Sequence, residues 1–147
     1  MKSTGMSFQW LDMRITEEKE RREREAIVQE RLPRALDELG RDLELCVDAY
    51  RAAFGAEAAE IRKYGSDVQV TVRNQREGQW QQSAHVRVQA ITALPGFRIE
   101  NGSQPVEVQV GTLPGDKLLF KYGEQYLTVE QLTRLILDPV LFPHLGE

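Results

Sequence analysis

The feature that most constrains the fold is a two-residue alternation of apolar and polar side chains that starts after Asp67. In DVQVTVRN, the valines at 68, 70 and 72 share one side of an extended chain, and the polar residues between them share the other. The alternation returns in AHVRVQA, FRIE and VEVQV, and KLLFKY and QYL extend the series. The pattern predicts a sheet of five or six strands with one apolar face, which consists of Val68, Val70, Val72, Val86, Val88, Phe97, Ile99, Val106, Val108 and Val110.

The connections between these strands are too short for parallel pairing. NQREG predicts a loose hairpin, the Pro-Gly pairs at 95–96 and 114–115 predict tight turns, and the Asn-Gly pair at 101–102 predicts a two-residue type I′ turn. Gly123 and Glu124 join the last two segments. Parallel neighbours need crossovers of a dozen or more residues. The predicted sheet is therefore an antiparallel meander.

The segment from Leu32 to Phe54 predicts a helix that covers this sheet. Its apolar residues follow alternating steps of four and three, as in a heptad seam, and consist of Leu32, Leu36, Leu39, Leu43, Cys46 and Tyr50. Further apolar residues, among them Leu45 and Val47, widen this seam, which favours a helix on a sheet over a narrow coiled coil. Because Cys46 lies among leucines, we expect a buried, unreactive thiol. The helix ends at Gly55 or continues to Gly65.

A strongly charged segment precedes this helix. No residue from Thr16 to Glu25 has an apolar side chain, and Glu17, Glu18 and Glu20 each stand four residues before an arginine. Such pairs stabilise a helix by about 0.2–0.5 kcal/mol each. The segment predicts a solvated helical arm that cannot pack into a core. Pro33 predicts a kink or a new helix start where the arm meets the apolar helix.

The two ends of the chain hold the candidate interface. Phe8, Leu11 and Ile15 occur at helical spacing with Trp10 and Met13 beside them, and the tail VLFPHL is too apolar for a solvated terminus. Two placements of the N-terminal residues are open, either projecting toward a partner or folded back on the body. The predicted interface residues are Phe8, Trp10, Leu11, Ile15, Leu141 and Phe142.

The C-terminal segment predicts a second helix. Thr128 followed by Gln131 forms a capping box, and Leu132, Leu135 and Ile136 form an apolar face. Pro139 predicts the end of this helix. The expected fold is α+β: a two-layer sandwich in which long N-terminal helices pack on one face of an antiparallel meander of 5–6 strands, with a C-terminal helix. Residues 1–5 are interpreted as a cloning remnant, 6–31 as the charged helical arm, and 32–147 as a single domain.

Composition excludes several classes of protein. The 147 residues have a net charge of −4, which disfavours binding to nucleic acid. One cysteine excludes an intrachain disulfide and a multi-cysteine metal site, and suits a reducing compartment. No segment approaches the roughly 20 apolar residues of a membrane span, and the N-terminus lacks a signal-peptide pattern. We expect a cytoplasmic protein with no membrane association.

Catalytic and cofactor signatures are absent from the sequence. Ser83 and His85 share one face of a predicted strand, but a flat polar face lacks the cleft and oxyanion site of a catalytic triad. Two histidines are too few for a His-rich metal site, and no phosphate-binding Gly-rich loop occurs. Arg73, Arg87 and Arg98 form either an anion site or, as we favour, part of a mixed-charge surface with nearby glutamates. We expect no enzyme, no cofactor and no metal.

Two hypotheses for function follow. The first is a non-catalytic protein–protein interaction or self-assembly module, a homodimer or the partner of another protein, that uses the apolar end of the arm. The alternative is a small-molecule binding domain for an apolar ligand, or a small enzyme, with a cavity between helix and sheet. The inward set of valines disfavours catalysis more than it disfavours apolar ligand binding.

Overall fold

The helical layer begins with a single long helix. The computed structural model describes residues 8–113 and 117–145. Helix α1, Gln9–Phe54, has 46 residues and ends at Gly55, whose φ of 120° is a conformation that favours glycine. The expected new helix start at Pro33 is wrong, because α1 continues through this exposed proline. The alternative of a kink there stays a prediction. Proline removes one helical hydrogen bond, and the buried Leu32, Ala35 and Leu36 hold the helix against the sheet at this point.

The sheet is an antiparallel meander of seven strands in chain order. The strands are β1 (Ala59–Tyr64), β2 (Asp67–Arg76), β3 (Gln79–Ile91), β4 (Gly96–Glu100), β5 (Val106–Leu113), β6 (Lys117–Tyr122) and β7 (Gln125–Leu127). The meander is confirmed, with one strand more than expected. The additional strand is β1, whose sequence also allowed a continuation of α1. It pairs along its whole length with β2.

Three turns differ from their predictions. The predicted tight turn at Pro95 and Gly96 is instead a four-residue connection, 92–95, and Gly96 is the first residue of β4. The loose hairpin between β2 and β3 is a tight two-residue turn, with positive φ at Glu77 (53°) and Gly78 (79°) as a type I′ turn requires. The predicted type I′ turn at Asn101 and Gly102 is instead part of a five-residue connection between β4 and β5. There the Asn101 Oδ1 accepts a hydrogen bond from the Ser103 N–H at 3.2 Å, which favours the longer loop. The turn at 114–115 lies outside the described residues.

Helix α2, Val129–Leu141, completes the helical layer. The capping box is confirmed, because the Thr128 Oγ1 accepts from the Gln131 N–H at 3.2 Å and the Gln131 Oε1 accepts from the Thr128 N–H at 3.0 Å. The expected end at Pro139 is wrong, since the helix continues to Leu141. Burial of Val140 and Leu141 outweighs the hydrogen bond that proline removes.

The core lies between one face of the sheet and the two helices. The alternating valines of β2, β3 and β5 are buried, except for a half-buried Val106. Phe97 and Phe120 meet at the centre with ring centroids 5.9 Å apart. The helices contribute Leu32, Leu36, Leu39, Leu43, Val47, Leu132, Ile136, Leu137, Val140 and Leu141. The predicted α+β class and the packing of helices on one sheet face are confirmed.

Gly96 offers a sharp test of the strand pairing. A Cβ at this position would overlap the Val108 carbonyl oxygen and lie 2.9 Å from the Gln109 Cα, both backbone atoms that cannot move aside. Replacing Gly96 with Ala is expected to lower the free energy of unfolding by at least about 3 kcal/mol, the upper end of overpacking costs. Gly111→Ala is the control, since its nearest contact, the Leu119 carbonyl oxygen, is 3.9 Å away. Equal urea-denaturation midpoints for the two variants would contradict this pairing.

Candidate functional site

The first 12 residues of α1, residues 9–20, form a helical arm that extends about 18 Å from the body at 1.5 Å per residue. Their side chains are exposed, except for a half-buried Glu18. The next turns lie beside the body, because Arg21 and Glu25 line a cavity with Leu94 and Pro95 of the β3–β4 connection. The first side chain that packs against the core is Val28, and the Gln29 Nε2 then donates to the Thr92 carbonyl oxygen at 3.5 Å. The arm is a continuous part of α1 that projects from the body and does not fold back on it.

Ion pairs along the helix stabilise the arm. Arg21 and Arg22 donate to Glu18 at 2.7 and 2.9 Å, and these hydrogen bonds lower the pKa of Glu18 to about 2. Arg21 also contacts Glu25. Of the three predicted pairs, Glu18 with Arg22 is formed. Arg21 contacts Glu18 and Glu25 in place of Glu17. The charged turns are solvated, as the sequence predicts.

The N-terminal end of the arm presents large apolar side chains to solvent. We define this arm tip as Phe8, Trp10, Leu11, Met13 and Ile15, which are between 40% and 65% exposed. Trp10 and Met13 lie on one side of the helix, and Leu11 and Ile15 lie on another, as the 100° step per residue requires. The arm tip therefore offers apolar surface on more than one side.

A second apolar surface lies between the two helices, on the side of the helical layer that faces away from the sheet. This groove has a volume of about 570 Å³ and is open to solvent. Its α1 wall consists of Asp42, Leu45, Cys46, Ala49, Tyr50, Ala53 and Phe54, and its α2 wall of Glu130, Thr133, Arg134, Leu137, Asp138, Leu141 and Phe142. Most of its lining is apolar, although Leu45 and Phe54 are more than half exposed.

The groove exists because the buried stripe of α1 does not follow a heptad repeat. A helix of 3.6 residues per turn drifts by about 20° per heptad from a 3.5-residue repeat. The buried stripe accordingly passes from Leu43 to Val47, and Cys46 turns away from the sheet into the groove. The prediction of a buried Cys46 is wrong for this reason, since its thiol is exposed.

Charge is distributed unevenly along the groove. The Tyr50 and Phe142 rings, 5.8 Å apart edge to face, place the C-terminal ends of both helices together. Asp42 and Glu130 therefore lie toward the opposite end, and neither forms an ion pair with any described residue. Arg134 approaches Asp138 at 3.7 Å. The groove thus has an aromatic end and an acidic end.

The predicted interface residues of the tail divide between core and surface. Leu141 is buried in the core and reaches the groove with one edge, whereas Phe142 is partly exposed against Tyr50. The four predicted residues of the arm lie together at the arm tip, far from these two. The groove itself was missed by sequence reasoning. Its signal was the four-residue spacing of Leu45, Ala49 and Ala53, which we interpreted as a widening of the sheet-facing seam.

Charged side chains on the polar face of the sheet form ion pairs with one another. Arg73 contacts Glu60 at 2.5 Å, and Arg98 contacts Glu107 at 3.0 Å. Arg87 contacts Asp67 at 2.7 Å. These ion pairs compensate the three arginines that could have formed an anion site, and they agree with the mixed-charge interpretation.

Ser83 and His85 do not contact each other. The expectation that they share the polar face is wrong, because the register shift between Val72 and Arg73 interrupts the alternation, and Ser83 lines a pocket on the helix side of the sheet. The Ser83 Oγ donates to the Val72 carbonyl oxygen at 3.2 Å, and the His85 Nε2 lies 3.2 Å from the Gln69 Oε1. Both groups are thus engaged in local hydrogen bonds. Among the residues that the structure describes, no three His, Cys, Asp or Glu side chains are grouped to hold a metal ion.

One pocket lies between the C-terminal part of α1, the sheet and the tail. It has a volume of about 230 Å³ and reaches Val72 and Ser83 of the sheet. Drug-sized ligands occupy roughly 300–1,000 Å³. This pocket therefore adds no support to the small-molecule hypothesis.

Comparisons with known proteins add no assignment. No protein-family model, curated protein or solved structure matches the chain. Within residues 8–113 and 117–145, neither helix is long and apolar enough to cross a membrane. The interpretation of function therefore depends on the arm tip and the groove.

The thiol in the groove provides a test of the local electrostatics. Desolvation by the groove walls raises the pKa of Cys46, and the negative charge of Asp42 raises it further. Because the thiolate is the reactive form, Asp42→Asn is expected to increase the rate of Cys46 alkylation at pH 7. Asp48→Asn is the control, since Asp48 approaches Arg51 and lies outside the groove lining. An unchanged rate in Asp42→Asn, measured with an aromatic disulfide reagent, would contradict this description.

Proposed function

We propose that this protein is a non-catalytic, self-associating module that works in the cytoplasm and joins copies of itself through the arm tip. The observation that carries the proposal is the exposure of five large apolar side chains at the end of a projecting helix. A monomer has no core contact for these side chains, because the arm extends beyond the body. Contact with a second arm would remove them from water.

The chemistry of the arm tip supports association over catalysis. Tryptophan is enriched among the residues that dominate binding energy in interfaces, and Trp10 is 65% exposed here. The arm tip contains no nucleophile and no acid–base pair. The charged turns that follow keep the helix solvated while they hold the tip away from the body.

Symmetry favours a pair of arms. Two identical helices can associate about a two-fold axis, so that each apolar residue is used twice in one closed contact. The arm tip has apolar side chains on more than one side, which suits a helix packed against a helix. The bodies begin about 18 Å from the tips and do not obstruct this contact.

Substitution of the arm tip tests the proposal. The double variant Trp10→Ser, Leu11→Ser is expected to raise the dissociation constant of the dimer at least about tenfold, which corresponds to 1.4 kcal/mol. The measurement is the solution mass by light scattering over a range of concentrations. The fold is expected to melt as cooperatively as in the unaltered chain, because neither side chain belongs to the core.

A matched control is available on the same helix. Leu45 is 63% exposed, like Trp10, but lies in the groove. Leu45→Ser is expected to leave the dimer unchanged. The proposal is wrong if the arm-tip variant retains the mass of the unaltered chain at every concentration, or if the unaltered chain is itself a monomer throughout.

A further inference from the structure

The groove is a separate apolar surface that the proposed arm contact leaves uncovered. Leu45, Phe54 and Phe142 are exposed hydrophobic residues on its walls, and no described part of the chain covers them. On the α1 wall, Cys46, Ala49 and Ala53 have small side chains. The groove runs along about three turns of each helix, a length that matches a short helix laid between them.

The charged side chains that line the groove favour a bound molecule with positive charge. Three carboxylates line it, those of Asp42, Glu130 and Asp138, against one cation, Arg134. Arg134 approaches Asp138, so that Asp42 and Glu130 remain without an ion-pair partner among the described residues. Their acidic end is opposite the aromatic end formed by Tyr50, Phe54 and Phe142. A cation at the acidic end and large apolar side chains toward the aromatic end would complement both.

We propose that the groove docks an amphipathic α-helix of another protein, which is apolar along one face and carries Lys or Arg at the end that lies against Asp42 and Glu130. Helices bind such grooves through apolar residues at positions i, i+3, i+4 and i+7. The acidic end adds selectivity, because charge complementarity at an interface discriminates between partners more than it adds affinity.

The arm tip of a second copy fits this groove less well. Its one cation between residues 8 and 15 is Arg14, which is already paired with Glu17 at 3.0 Å. In an antiparallel arrangement, Glu17 and Glu20 would approach the acidic end of the groove and be repelled. The proposal therefore assigns the groove to a different protein and leaves the arm tip for self-association.

A pair of synthetic peptides tests the groove directly. Both are helical 14-residue sequences with leucine at i, i+3, i+4 and i+7. One carries three lysines in a terminal turn, and the other carries three glutamates in the same turn. Each peptide is made in two versions, with the charged turn at the N-terminus or at the C-terminus. Fluorescence anisotropy with the full chain at low salt is expected to show that a lysine peptide binds at least tenfold more tightly than its glutamate counterpart. The preference is expected to weaken with added salt, because salt screens exposed charges.

Charge reversal in the groove supplies the decisive variant. Asp42→Lys with Glu130→Lys is expected to invert the preference between the two peptides, whereas Asp48→Lys, outside the groove, is expected to leave it unchanged. Leu45→Arg is expected to abolish binding of both peptides by placing a charge in the apolar wall. All variants are compared by thermal melting, so that loss of binding is separated from loss of fold.

Several results would overturn this assignment. Equal affinity for the two peptides, no binding of either, or binding that survives Leu45→Arg would each be such a result. Stabilisation by lauric acid that Leu45→Arg removes, without peptide binding, would assign the groove to an apolar small molecule instead. A fall in solution mass caused by Leu45→Arg would assign it to a second copy. Failure of arm-tip self-association, measured with Trp10→Ser and Leu11→Ser, would leave the peptide result intact.

Discussion

Burial of the valine-rich sheet face under α1 is the contact on which the rest of the structure depends. An antiparallel sheet with one apolar face must cover that face, and each fully buried aliphatic side chain contributes about 1.5–3 kcal/mol. The stripe from Leu32 to Val47 covers one part of the sheet, and α2 covers the part that α1 leaves open. The positions of both helices are therefore determined by the apolar side chains that they bury against the sheet. Their outer sides do not take part in this burial.

The two candidate surfaces follow from the length and the phase of α1. The sheet packs against α1 only from about Val28 onward, so that the N-terminal turns of this 46-residue helix have nothing to pack against. The 3.6-residue period of the helix then moves Leu45, Cys46 and Ala49 off the sheet side and toward α2. Since α2 meets α1 at one edge only, an apolar groove remains between them. Neither surface is required for the fold, which is why both are available for binding.

The sequence predicts the sheet better than it predicts the helices. Alternating valines and short connections determine an antiparallel meander, because side-chain alternation has a period of two in any strand. The capping box at Thr128 is similarly local and was predictable. Pro33 and Pro139 are not, because their local preference for a break is outweighed by burial of neighbours such as Leu36 and Val140. Strand β1 was not predicted, because the sequence AEIRKY is also compatible with a helix. It forms a strand because it pairs with β2.

The contrast between local patterns and long-range packing also explains which of the two candidate surfaces could be predicted from the sequence. The arm tip is contiguous in sequence, so that its apolar residues and the charged turns after them identify it without a structure. The groove brings together residues about 90 positions apart, and its acidic end depends on Asp42 and Glu130 lining it from two different helices. The sequence assigned Cys46 to the core because a heptad count and a 3.6-residue count differ by one position at that point.

The arrangement of the two surfaces on one helix has a consequence for binding. Trp10 and Cys46 are 36 residues apart, which corresponds to about 54 Å along α1. A short helix in the groove cannot span that distance, and the two contacts are therefore independent of each other. The proposed self-association through the arm tips would nevertheless place two grooves in one assembly. A partner with two suitable helices would then bind with an avidity about 10²–10⁴ times its single-site affinity, provided that its linker reaches from one body to the other.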